Sequence, residues 1–374
     1  MAQFVFIALV LVLSAAPAQA DGIPYTLEIL VRAGETIGGK TLATLGAVYS
    51  LNEAGTIAFT GCVSGQGCGI FTQSDLVAMS ASDASLNDVG TVAFTRSIPG
   101  GKGIFTQSGQ LLATGDTIGG KVLTSLGSGG LSLNNSDTVA YIAQFSGSEG
   151  IFTQHDLLVA AGDTISGKTL NGFGSIVSLN DAGTVAFKGS FAGGDARGVF
   201  TQNGLLVATG DTLGGKTLTN IDPYVSLNNL GTVAFRGDFA GGDGIFTQNA
   251  LLVASGDTIG GKTLFTFDFP IINDAGTVAF IGKISNSNES GIFTQTGFRA
   301  ATGDTVGGKT LADFGPPRIN NRGQIAFPVV FDDGGVRTEG IVLATPVPES
   351  GTLILLGTGL AAMAGWKRKR LFRQ

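Results

Sequence analysis

The chain has 374 residues, 43% of them apolar and 13% charged, with 60 glycines, 25 phenylalanines and a formal net charge of −6. That apolar share excludes a disordered chain. The body is more acidic than the net figure, because five of the 22 basic residues (Lys367, Arg368, Lys369, Arg370 and Arg373) fall in the last eight positions; an acidic body repels phosphate backbones, so nucleic acid is not an expected partner.

The first element is an apolar run, Met1 to Leu13, followed by Ser14-Ala-Ala-Pro-Ala-Gln-Ala20. Its small-residue ending, with Ala18 and Ala20 at the −3 and −1 positions, predicts a signal peptide over residues 1–20, although the leading segment carries no Lys or Arg. After it, Leu27-Glu-Ile-Leu-Val-Arg32 predicts a lone strand.

From there one unit repeats. It is clearest at Val177-Ser-Leu-Asn-Asp-Ala-Gly-Thr-Val-Ala-Phe187, followed by Gly198-Val-Phe-Thr-Gln202, Leu205-Leu-Val-Ala208 and Gly210-Asp-Thr212 with Gly214-Gly-Lys-Thr-Leu218. The anchor asparagines are Asn52, Asn87, Asn134, Asn180, Asn228, Asn273 and Asn320, separated by 35, 47, 46, 48, 45 and 47 residues. The short interval lacks the Gly-Asp-Thr segment, which therefore reads as a connection and not as a core strand. Val-Ser-Leu and Thr-Val-Ala-Phe alternate with the period of a strand, Asn-x-x-Gly is turn chemistry, and the two other runs are short and β-rich. Four strands in such a unit match a propeller blade.

The last copy ends at Gly340-Ile-Val-Leu-Ala344 without a fourth strand, while the chain after residue 20 opens with a spare one. An all-β, seven-bladed β-propeller over residues 21–345 follows, its N-terminal strand completing the last blade and removing exposed sheet edges. A β-solenoid is the alternative, but it gives no reason for complementary ends. Asn-x-x-Gly-x-x-Ala-Phe units resemble those of other exported bacterial proteins of unassigned function, from about Ala47 to Phe327.

Cys62 and Cys68 are the only cysteines. In an oxidising compartment they can staple a hairpin, contributing roughly 2 kcal/mol in the chain-entropy model. A zinc site would need partners the sequence does not supply.

No catalytic residue is nominated. Asp116, Asp163, Asp211, Asp257 and Asp304, with Glu35 in the same slot, are the acids that a calcium reading would use. One carboxylate per unit, beside a Lys such as Lys216, fits a turn-bonding role better, and no cofactor is expected. Asp195 and Asp243, in Phe-Ala-Gly-Gly-Asp, read as loop decoration. Gly-Gly-Lys-Thr lacks the first glycine and the strand-to-helix context of a phosphate loop. His155 stands in a turn where sibling units carry Asn, Ser or Thr. Tyr25, Tyr49, Tyr141 and Tyr224 are too few to suggest a flat sugar-binding platform, and the phenylalanines read as core.

The chain closes with Thr345-Pro-Val-Pro-Glu-Ser350, an uncharged stretch 351–366 and Lys367-Arg-Lys-Arg370. As a helix that stretch spans about 24 Å, a marginal transmembrane length, with the basic end cytoplasmic. Val347, Pro348, Glu349 and Ser350, the Leu355-Leu-Gly-Thr-Gly-Leu-Ala361 run and the basic end together resemble a PEP-CTERM sorting tail over 346–374, with Ser350 where that family commonly has a second proline. The resemblance implies an exosortase-type processing enzyme of Gram-negative, exopolysaccharide-producing bacteria as partner, membrane contact through the tail helix, and passage from the inner membrane to the cell surface or extracellular matrix. Near-equal units without a differentiated polar cluster point to a non-catalytic surface or matrix protein. The alternatives are a hydrolase or lyase acting on an extracellular polymer at the axial mouth, and a ligand-binding scaffold.

Overall fold

The computed structural model describes residues 24–127, 130–191 and 196–347. The expected signal segment with Ala18 and Ala20, and the tail from Pro348 onward with its expected helix 351–366, lie outside them. Among the described residues no helix is long and apolar enough to cross a membrane.

The repeat unit folds as sequence periodicity demands. In the strand Val185–Phe191, alternate and aromatic positions are buried, and its partner Arg197–Thr201 places Phe200 opposite Phe187 with ring centroids 5.8 Å apart. The same pair recurs as Phe59 with Phe71 and as Phe235 with Phe246, so the Ala-Phe and Ile-Phe steps of the repeat form the blade cores. The glycine before Ile-Phe is required by close approach: a Cβ on Gly291 would lie 2.4 Å from the carbonyl oxygen of Ala300 on the neighbouring strand.

Seven such antiparallel sheets make the seven blades of a β-propeller. Blades 1 to 6 span Thr36–Met79, Ala81–Ala113, Thr117–Ala160, Thr164–Ala208, Thr212–Ala254 and Thr258–Ala301. Blade 7 runs from Thr305 to Pro346 and takes its outer strand from Tyr25–Arg32, which pairs antiparallel with Val336–Pro346. The expected closure is therefore present. Val31 is fully buried in the cluster that also holds Ile37, Val48 and Phe59 of blade 1, so the closing strand joins the two ends of the ring through side chains as well as backbone.

The Gly-Asp-Thr segment is more than a connection. Thr212–Leu213 and Lys216–Leu227 form a hairpin whose second arm continues, unbroken, as the first strand of blade 5, with Leu218 buried opposite Phe239. Its Thr-x-Gly-Gly turn folds onto the blade: in blade 3 a Cβ on Gly119, at φ +54, would meet the Leu157 nitrogen at 2.6 Å. Blade 2 lacks the hairpin and starts its first strand directly at Ala81.

Candidate functional site

The first strands surround the propeller axis, and at one end of the channel three tiers of side chains stitch neighbouring blades together. Each anchor asparagine turns its Oδ1 onto its own turn, as Asn180 does in accepting from the Thr184 nitrogen at 2.9 Å. The Nδ2 of that anchor crosses to the next blade and donates to the Asn228 carbonyl at 3.2 Å. The bonds run on from blade to blade until Asn320 returns to the Asn52 carbonyl at 3.0 Å. All seven anchors are buried, which explains their recurrence: each satisfies a turn and a neighbour at once.

A second ring uses the residue after each anchor. The Asp88 nitrogen donates to Asn135 Oδ1 at 2.8 Å and the Asn135 nitrogen to Asp181 Oδ1 at 2.9 Å, and the circuit closes when the Asn321 nitrogen donates to Glu53 Oε1 at 2.7 Å. Acids and amides alternate from Asp88 to Asn321, and Asn135 Nδ2 bridges Asp88 and Asp181 at 2.9 and 3.0 Å. These residues line a shallow polar bowl.

A third tier is incomplete. Ser50, Ser85, Ser132, Ser178 and Ser226 each accept, at 3.0 or 3.1 Å, from a backbone nitrogen in the next blade. In blades 6 and 7 the same position holds Ile271 and Arg318. Beyond this tier the channel opens into a cavity of about 450 Å³. Leu51, Leu86, Leu133 and Ile319 line both spaces, so an apolar layer separates the cavity from the bowl.

The cavity wall is strongly asymmetric. Blades 5, 6, 7 and 1 contribute Tyr224, Phe269, Arg318 and Tyr49, whereas Gly130, Leu131 and Ile176 stand on the side of blades 3 and 4. Tyr224 and Phe269 meet edge to face with centroids 4.7 Å apart. Phe269 has φ +53 and Asp83, also in the wall, φ +46, left-handed conformations that cost of order 1–3 kcal/mol in residues other than glycine. Arg318 donates from Nε to the Tyr49 carbonyl at 2.6 Å and from Nη1 to the Pro317 carbonyl at 2.8 Å. Burial lowers its pKa to about 10, against an opposing pull from Tyr49 and Tyr224, so it remains a cation at neutral pH. Asp83, the carboxylate in the same wall, accepts from Thr95 Oγ1 at 3.1 Å and lies 3.6 Å from Lys102.

A model of the family described as "Family of unknown function (DUF7453)" matches residues 86–340. The chain belongs to the DUF7453 family. No curated protein matches it. Among solved structures, a streptogramin B lyase is 11% identical, with 85% of this chain and 98% of that chain covered and a TM-score of 0.38. The PQQ-bound aldose sugar dehydrogenase of Streptomyces coelicolor is 8% identical, with 87% and 99% covered and a TM-score of 0.36. The gluconolactonase XC5397 of Xanthomonas campestris is 11% identical, with 85% and 100% covered and a TM-score of 0.32. At such scores the likeness carries no activity over to this DUF7453 chain.

The residues singled out in the sequence fall elsewhere. Asp211 Oδ2 accepts from the Ala208 nitrogen of its own turn at 2.8 Å, and Asp116, Asp163, Asp257 and Asp304 do the same, as the turn reading expects. Glu35 instead pairs with Arg32 at 3.2 Å. The hairpin lysines do not pair with these acids: Lys216 lies 4.9 Å over the Phe239 ring and Lys168 5.2 Å over Phe191. Among the described residues no three His, Cys, Asp or Glu side chains gather as a metal site. Cys62 and Cys68 stand opposite each other across a hairpin of blade 1 and are joined as a disulfide. His155 is exposed, its nitrogen donating to Thr153 Oγ1 at 3.3 Å. Val347 donates to the Pro24 carbonyl at 2.8 Å, while Pro348, Glu349 and Ser350 lie outside the described residues.

Asp243 is not loop decoration. It is 5% exposed and accepts from Arg236 Nε at 2.9 Å and Thr266 Oγ1 at 2.7 Å. Arg236 also bonds Asp222 and lies 3.3 Å from Asp238, so the cation is surrounded by acids. Burial pushes the neighbouring Asp268 carboxyl upward, with Arg236 and Lys283 opposing. Asp195 lies outside the described residues. The cavity residues stand where the repeat is broken, so periodicity does not mark them. The available signal was the reverse, the blade positions where Tyr49, Tyr224 and Arg318 replace the repeat.

Proposed function

We propose that this chain is an exported, non-catalytic propeller that serves at the cell surface or in the extracellular matrix as a binding or scaffold module, delivered by its N-terminal signal and a PEP-CTERM-like tail through an exosortase-type enzyme. The observation that carries the reading is the use to which polar groups are put: the repeated acids bond their own turns and the anchor asparagines lock neighbouring blades. The carboxylate in the cavity wall, Asp83, is held by Lys102 and Thr95, and the cation there, Arg318, is tied to the Tyr49 and Pro317 carbonyls. Such an arrangement stabilises a ring and presents a surface.

The test is fractionation of cells with and without the processing enzyme. The proposal expects a shortened product outside the inner membrane when the enzyme is present and full-length, membrane-held protein when it is absent. Full-length protein in the inner membrane of both strains overturns the sorting half. Turnover of matrix polysaccharide by the purified protein overturns the non-catalytic half.

A further inference from the structure

The geometry points to the axial cavity of about 450 Å³ as a binding site for an organic carboxylate that carries a ring, with Arg318 receiving the carboxylate and Tyr49, Tyr224 and Phe269 flanking the ring. The inference goes beyond the surface role, since the site would bind whether the protein is anchored or released.

Three independent observations support it. The first is the missing counter-charge. A guanidinium partly withdrawn from water is stabilised by a counter-charge, yet half-buried Arg318 has no carboxylate within ion-pair distance among the described residues. Its bonds to the Tyr49 and Pro317 carbonyls use Nε and Nη1 and hold the fork in place. Among the described residues Nη2 has no hydrogen-bond partner, Arg318 lines the cavity, and a fork held on one side is suited to a carboxylate.

The second observation is where the symmetry breaks. Five blades place a serine at this position and spend it on a bond to the next blade, from Ser50 to Leu86 through Ser226 to Ile272. Blades 6 and 7 give up that bond for Ile271 and Arg318, and blade 1 adds Tyr49 as an extra residue at a bulge between Val48 and Ser50. Departures concentrated on one sector of the wall are not explained by the ring, which the anchor asparagines already close.

The third is the shape and strain of the wall. Its volume falls within the range of small-molecule sites, roughly 300–1,000 Å³, and it joins apolar and aromatic surface to a few polar groups. Tyr224 is 37% exposed, an amphipathic ring held accessible against Phe269, and Phe269 is kept in a left-handed conformation beside it. Strain of that kind persists where surrounding structure over-determines it. Aromatic faces accept both aromatic rings and the apolar face of a sugar, so the shared chemistry is a ring bearing a carboxylate.

The experiment is calorimetric titration of the full chain with benzoate and with glucuronate, each beside its neutral counterpart, benzamide or glucose. At least one acid should bind and its neutral counterpart should not, and which acid binds best separates an aromatic acid from a sugar acid as the source. R318M should weaken binding by about tenfold or more, the loss expected for a charge-assisted pair, while R337M, on an exposed residue outside the cavity, should not. If R318M does not fold, Y224A serves in its place, because an exposed ring is removed without a buried void, and it should weaken the ring-bearing acid while leaving the melting temperature near that of the parent. Absence of binding by both acids, equal binding of acids and neutral counterparts, or unchanged affinity in both R318M and Y224A overturns the site.

Discussion

Deleting residues 24–32 removes the strand that closes the ring. Val31 is fully buried, and Leu27, Ile29 and Leu30 pack partly buried against the cores of blades 7 and 1. Burying one such side chain stabilises by about 1.5–3 kcal/mol, so one full and three partial burials amount to roughly 5 kcal/mol, the lower end of the stability of a whole domain. Tyr25 adds a contact to blade 6, where the Arg299 guanidinium lies 4.3 Å over its ring. The deletion also bares the strand Val336–Pro346 as an unpaired edge, which invites pairing between chains. The expected result is a melting temperature lowered by ten degrees or so, or no cooperative transition at all, together with dimers or larger species by size-exclusion chromatography. A synthetic peptide of residues 24–33 added in trans should restore much of the loss. A deleted chain that stays monomeric with the parent's melting temperature would refute closure by this strand.

Other perturbations test other levels of the structure. Asn180→Ala should destabilise by about 2–3 kcal/mol, because it leaves the Thr184 nitrogen and the Asn228 carbonyl without their side-chain partner, and denaturant unfolding measures this. Reducing the Cys62–Cys68 bond should cost roughly 2 kcal/mol or less while the far-ultraviolet spectrum is retained, because the closed loop is short. Asp268 has a carboxyl pKa higher in the folded than in the unfolded chain, so the native state binds its proton more readily and stability falls as pH rises through the carboxylate range. Asp268→Asn should therefore gain stability relative to the parent at pH 7 and lose that advantage at acidic pH, as melting curves across pH would show. Asp243→Ala strands Arg236 beside fewer acids in a buried setting and should cost about 3 kcal/mol, more than removal of an exposed acid such as Asp313.

Much of the fold was legible because the repeat writes each blade in the same characters. Alternation around Val185-Ala-Phe187, the Asn-x-x-Gly turn and the complementary ends sufficed for blade number and closure. In the sequence the Gly-Asp-Thr hairpin reads as a bare connection because its Lys-Thr-Leu arm is polar in part. Only the buried Leu218 opposite Phe239 marks it as the start of a strand. The candidate site was not legible, since Tyr49, Tyr224, Phe269 and Arg318 come from four blades and meet only at the axis. Asp243 reads as loop decoration in the sequence for a similar reason: its partner Arg236 is near in sequence, but Thr266 Oγ1 and the Phe267 nitrogen reach it from the next blade.

The number of blades has an electrostatic consequence at the polar end of the channel. Acid and amide can alternate strictly around a ring only when the number of positions is even, and seven is odd. One junction must therefore join two residues of a kind, and here it joins two acids, Glu53 and Asp88, where the Glu53 nitrogen donates to Asp88 Oδ1 at 2.8 Å. At every other junction an amide stands beside an acid, and Asn229 Nδ2 reaches both Asp181 and Asp274. The odd junction belongs to blades 1 and 2, and blade 1 also supplies Tyr49 to the cavity beyond the apolar layer. A seven-blade ring cannot alternate strictly in this tier, and the Asn-to-carbonyl circuit beneath it supplies the closure that lets blades 6 and 7 give up serine bonds on the cavity side.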